Sequence, residues 1–214
     1  MMKLRTIPVL AGMLFGTLAL RAQTESSDPR ESYQLQIKRA SSPIVMDGLL
    51  GEPAWDEAEV ARDFWLKFPR DGERAPKRTE VRMTYDDRFL YVLAVCYGPD
   101  EYVVQTLKRD SRFFDGDGFG IVLDPMNRRT NGFLFGVSPY NVQSEDLLSQ
   151  STFGRLNFSW DNRWYSQVSR FNDRWIVEIA IPFKTLRFET ENTNWGINFF
   201  RNDLVSNQYH SWTP

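Results

Sequence analysis

The stretch "TEVRMTYDDRFLYVLAVCY", residues 79 to 97, constrains the fold more than any other part of the chain. Val81, Met83 and Tyr85 recur at every second residue, the period at which a strand turns one face toward a core. Asp86 and Asp87 follow, and such residues favour turns because their side chains bond the backbone just ahead. From Phe89 to Tyr97 the sequence is apolar at odd and even positions alike, so both faces of that strand must be covered. A hairpin with such a strand calls for a second sheet on one face and a covering segment on the other, as in a sandwich.

The rest of the sequence agrees. Tyr33, Leu35 and Ile37 alternate with polar residues as in a half-buried strand, and Pro53 suits the first turn of a short helix from Glu52 to Glu59. Further strands are expected at "FGIVLD", "NGFLFGVSP", "WYSQVSRF", "RWIVEIAIP" and "WGINFFRND", each bounded by Gly, Asn, Asp or Pro. In the fourth of these, Trp175, Val177, Ile179 and Ile181 form one apolar face, with Ile176, Glu178 and Ala180 on the other. Strong helical periods between the strands are missing, which excludes a parallel α/β sheet and leaves an antiparallel all-β sandwich.

The first 22 residues stand apart from this pattern. Lys3 and Arg5 precede an apolar stretch from Ile7 to Leu20 that is too short to span a bilayer, which takes roughly 20 residues, and Ala22 offers a cleavage point. We expect a signal peptide over 1–22, a flexible polar leader over 23–32 and one domain over 33–214. Removing Lys3, Arg5 and Arg21 takes the net charge from −2 to −5, which leaves no basic surface for nucleic acid. Cys96 is the single cysteine, so the chain has no internal disulfide, and its apolar surroundings mark it as a buried hydrophobe.

Most catalytic arrangements lack their residues. One histidine, His210, and one cysteine cannot make a four-ligand zinc site, and no nucleophile motif accompanies His210. Two carboxylates suffice for glycoside cleavage, and Asp115 with Asp117, Asp86 with Asp87, and Glu178 are candidates. The Asp86–Asp87 pair is already explained by its turn, and Glu178 is equally consistent with half of a buried ion pair. "DGDGFG", starting at Asp115, matches an EF-hand loop at its first, third and sixth positions but puts Phe119 at the fifth and Met126 at the twelfth. A looser calcium site drawing on Asp115, Asp47 and Glu52 remains open, as does a plain tight turn. In "LNFSWDNRW", Trp160 and Trp164 lie beside Asp161, Asn162 and Arg163, a composition suited to stacking on a sugar while bonding its hydroxyls. Trp164 could equally open the next strand, and Trp160 could cover the sandwich edge.

Several segments occur in one order: "IVMDGLLGEPAW", "VRMTYDDRFLYVLAVCY", "DGDGFGIVLDP", "GFLFGVSP", "RWIVEIAIPFKTLRF" and "WGINFFRND". Together, from about Ile44 to Trp212, they resemble the family 9 carbohydrate-binding modules. That resemblance implies a β-sandwich of jelly-roll type, a sugar ligand bound often at chain ends, bound calcium, and a frequent attachment to glycoside hydrolases. It is closest to a branch in which the domain follows a signal peptide and precedes an outer-membrane β-barrel, with "RNDLVSNQYHSWTP" resembling the junction. This implies an exported protein of the bacterial periplasm, outer membrane or cell surface, continuing into or partnering a barrel. Family members hold sugar between two tryptophans. Phe114 falls at the first of these positions, and the second has no clear counterpart. Phe114 is therefore the expected stacking ring, Asp117 its polar neighbour, and Trp160, Asn162 and Trp164 the accompanying loop.

Overall fold

The computed structural model describes residues 33–109, 112–149, 160–189 and 191–214. The expected signal peptide and leader lie outside them. The described residues form two sheets packed face to face, a jelly-roll sandwich. No helix among them is long and apolar enough to cross a membrane.

The hairpin forms as its period requires. Strands β5 (Thr79–Tyr85) and β6 (Phe89–Tyr97) pair antiparallel, with Asp86 Oδ1 accepting from the Arg88 and Phe89 N–H groups at 2.7 and 2.8 Å. On the other side of β6 lies β11 (Arg174–Pro182), followed at the edge by β10 (Tyr165–Phe171). Two short strands, β1 (Lys38–Arg39) and β2 (Val60–Ala61), pair with β5, β1 in parallel. The second sheet runs in the order β4 (Glu73–Arg74), β3 (Trp65–Phe68), β13 (Gln208–Ser211), β12 (Gly196–Asp203), β7 (Gly118–Asp124), β8 (Asn131–Val137) and β9 (Gln143–Ser149).

Alternation along β6 and β11 sorts their side chains between two cores. Val92, Ala94, Cys96, Trp175, Val177, Ile179 and Ile181 meet Phe119, Ile121, Phe135 and Phe199 of the second sheet. Tyr91, Leu93, Val95, Ile176 and Ala180 face the other way and are covered by Trp55, Ile44 and Met46. Trp55 is carried by α1 (Pro53–Glu57), shorter than the expected Glu52–Glu59 and opened by Pro53. Cys96 is fully buried, which pushes its thiol up to about 11.

One expected strand is mostly unpaired. Residues 33–37 keep the alternating burial, with Tyr33, Leu35 and Ile37 packed on the core, but ladder pairing begins only at Lys38. His210, the one histidine, stands near the end of β13 and is fully buried beside Arg201 and Asp203. Burial pushes its imidazole down to about 4.

Candidate functional site

The segment "FFDGDG" crosses the outer face of the second sheet. Phe113–Asp115 form one tight helical turn, and the Phe113 ring lies over a cradle of outward-facing glycines, Gly118 and Gly120 on β7 and Gly136 on β8. A Cβ on Gly118 or Gly120 would come within 2.9 Å of that ring, and one on Gly136 closer still. The glycines are required by this close approach.

Two polar side chains fix the turn. Asp117 is 6% exposed, and its carboxylate accepts from the N–H groups of Val103 at 2.6 Å and Leu204 at 2.5 Å. Its pKa is raised, chiefly because burial disfavours the charge. Asn202 on β12 donates its side-chain amide to the carbonyls of Phe113 at 3.1 Å and Gly116 at 3.4 Å. Asp117 is thus a latch between three segments, and both its oxygens are engaged.

Phe114 is left on the surface, 44% exposed, with its ring 5.1 Å from Phe113 and 5.8 Å from Tyr209 of β13. Tyr209 in turn stacks at 5.7 Å on Phe200 of β12. Phe113 and Asp115 also line a small cleft, open to solvent, whose other walls include Gln105, Thr106, Arg112, Ser138 and Ser144. The cleft offers hydroxyl, amide and charged groups, and the exposed Phe114 ring lies in the same turn; these are elements of a polar ligand site.

The tryptophan loop sits elsewhere. Trp164 is 3% exposed, packs edge-on against Phe135, and donates its indole N–H to Glu145 at 3.0 Å. It precedes β10 and belongs to the core, so no face of its ring is open to a sugar. Trp160, half-buried, packs on Phe133 and Phe135, the inward-facing side chains of β8. Asn162 serves the same network: its N–H donates to Glu145 and its carbonyl accepts from Arg109. These residues are on the opposite face of β8 from the Phe113 cradle, and the remainder of their segment, 150–159, lies outside the described residues. Composition suited them to sugar, but packing assigns them to closing the sandwich edge.

A third cluster lies on the far side of the first sheet. Asp47, Glu52 and Glu178 each offer a carboxylate oxygen, all within 4.8 Å of one another. Glu178 is fully buried, and Oε2 accepts from the N–H groups of Asp47 at 2.9 Å and Gly48 at 2.7 Å while Oε1 accepts from the Trp55 indole at 3.1 Å. Gly48 reaches this position with φ +77°, a conformation that favours glycine. Burial pushes the Glu178 carboxyl up to about 7, opposed by the N–H donors and assisted by the charge of Glu52. Glu52 Oε1 accepts from Val45 N–H, whereas Oε2 is buried without a hydrogen-bond partner. Glu178 is neither half of an ion pair nor free for acid–base work. It closes the "DGLLGEPAW" loop onto β11 and completes an oxygen-only donor set. Asp115, expected with Asp47 and Glu52, is instead on the second sheet beside the cleft.

Residues that sequence reasoning passed over are Tyr209 and Phe200 at the turn and Glu178 as a partner of Asp47. The first two alternate along "NFFRND" and "NQYHS", a period-two signal for a shared outer face. Nothing local ties Glu178 to a loop 130 residues earlier.

Comparisons with known proteins bear on both sheets. Endo-1,4-beta-xylanase A of Thermotoga maritima is 26% identical over 192 residues, which is 89% of this chain but 16% of the relative's length. The chain therefore spans about a sixth of that enzyme. A family 9 carbohydrate-binding module of Caldicellulosiruptor kristjanssonii in complex with cellotriose superposes with a TM-score of 0.57 at 20% identity, covering 82% of this chain and 81% of the module. The same kind of module in complex with glucose gives 0.57 at 18% identity, covering 82% and 84%. These likenesses share the fold. A family model described as carbohydrate family 9 binding domain-like matches residues 46–213, and to that family the chain belongs.

Proposed function

We propose that this chain is a non-catalytic carbohydrate-binding domain whose ligand stacks on Phe114 and reaches polar groups of the adjoining cleft. The observation that carries the reading is Phe114 itself, an exposed ring on a turn locked by Asp117 and Asn202, between Phe113 and Asp115, which line the cleft. A rigid ring costs little ordering entropy on binding. The solved relatives hold cellotriose and glucose, which makes these the first ligands to try. Isothermal titration with both sugars tests the reading. Binding that Phe114→Ala abolishes supports it, and binding unchanged in that variant refutes it.

Calcium belongs to the same proposal. The donor set of Asp47, Glu52 and Glu178 fits a hard cation, because it is all oxygen, triply carboxylate, and includes the unpartnered buried Glu52 Oε2. A cation there would pin the loop before α1 to β11.

The sequence of residues 1–22 supports export, with a place in the periplasm, outer membrane or cell surface, and the ordered motifs support an outer-membrane β-barrel in the same or a partner chain. The xylanase relative supports instead an accessory role beside a glycoside hydrolase. Cell fractionation with an antibody to the domain separates the two: sedimentation with outer membranes favours the barrel, and release to the medium favours the hydrolase.

A further inference from the structure

Phe68 stands on the outer face of the second sheet because its strand breaks register. In β3, Trp65 pairs with Ser211 and Leu66 with His210, but the residue opposite Tyr209 is Phe68 instead of Lys67. Regular alternation from the buried Leu66 would turn Phe68 inward. The extra residue sets it on the side of Tyr209, with 51% of its surface exposed. A bulge re-aims a side chain in this way, and here it forgoes the stabilisation that burying a phenylalanine would give.

The strand order β3, β13, β12, β7 then puts Phe68 and Phe114 on opposite flanks of Tyr209. Phe114 is 5.8 Å from Tyr209, and Phe68 stands opposite Tyr209 across the β13–β3 ladder, so the row spans three side chains. That exceeds one pyranose ring. Asn207, exposed at the turn before β13, supplies an amide along its flank.

We propose that Phe68 forms a second sugar subsite, so that the ligand is an oligosaccharide lying across β13 and not a single sugar. This rests on the reading of Phe114 as the first stacking ring. The occupant is a glycan because the exposed row consists of flat aromatic rings flanked by the Asn207 amide, the chemistry that stacks on a sugar face and bonds its hydroxyls.

Isothermal titration of the chain, Phe68→Ala, Phe68→Trp and Phe114→Ala with glucose and with cellotriose tests it. The expected result is tighter binding of cellotriose than of glucose by the unaltered chain. Phe68→Ala should cost about tenfold for cellotriose and less than twofold for glucose, as one ring contact is worth. Phe68→Trp should restore cellotriose binding, and Phe114→Ala should weaken both sugars. Phe68→Ala that leaves cellotriose unchanged, or weakens both sugars alike, overturns the subsite while leaving Phe114 in place. Phe114→Ala without effect, or an unaltered chain that binds neither sugar, removes the underlying reading and the subsite with it.

Discussion

Glu178 and His210 are both fully buried, and burial moves them in opposite directions, the carboxyl up to about 7 and the imidazole down to about 4. Between its ordinary value of 4.5 and about 7, Glu178 keeps a proton in the folded chain that the unfolded chain has lost, so its contribution to stability falls as pH rises. His210 behaves in the reverse sense. Between about 4 and its ordinary 6.5 the unfolded chain holds a proton that the folded chain refuses, so stability is lost as pH falls. One proton of difference is worth about 1.4 kcal/mol per pH unit. From pH 5 to 6 the two slopes oppose each other with nearly equal size, and the melting midpoint in a chelating buffer should stay almost level. Replacing either group exposes the other. Glu178→Gln should gain about 1.4 kcal/mol from pH 5 to 6, a rise in midpoint of roughly 3–5 °C for a domain of this size, and His210→Gln should fall by as much. Scanning calorimetry at fixed ionic strength reads both. The slope, not the absolute midpoint, is the readout, because Gln at 178 also turns one of the two acceptor oxygens, each facing N–H donors, into an NH2 donor. Parallel profiles for Glu178→Gln and the unaltered chain would refute the argument.

Calcium at a hundred times its dissociation constant should stabilise the fold by about 2.7 kcal/mol in thermal unfolding; Glu52→Gln should remove most of that gain and Asp115→Asn none. Asp117→Ala strands the Val103 and Leu204 N–H groups and should cost about 2–6 kcal/mol in urea unfolding, at roughly 1–3 for each unpaired donor. Gly136→Ala drives a methyl group into the Phe113 ring; a loss of about 1–3 kcal/mol is expected, with weaker sugar binding in the same preparation.

The hairpin and β11 were legible because burial on one or both faces writes itself into the sequence at period two. The same signal misled at residues 33–37, where alternating burial survives without a ladder: the pattern reports which side chains are covered, not which backbone groups are paired. The outward position of Phe68 was illegible for a related reason. Its facing depends on one extra residue relative to β13, and register is a property of two strands. Glu178 illustrates a third limit, since its donors lie in a loop more than a hundred residues away and only the closed sandwich joins them.

The aromatics beside polar residues show how a composition argument divides. Phe114 and Trp164 sit in comparable sequence neighbourhoods, yet one is exposed on a latched turn and the other is sealed over Phe135. What separates them is the glycines. Because Gly118, Gly120 and Gly136 give the outer face no side chains, Phe113 can lie flat on the sheet, and the next residue in the tight turn must then stand clear of it. The two acidic residues of "FFDGDG" divide in the same way: Asp117 spends both oxygens on backbone N–H groups, and Asp115 remains at the cleft. On the proposed reading, the rigidity that Asp117 confers suits Phe114 to stacking, since a ring already held in place loses little freedom when a ligand covers it. Loosening the turn should therefore weaken binding even where Phe114 itself is untouched.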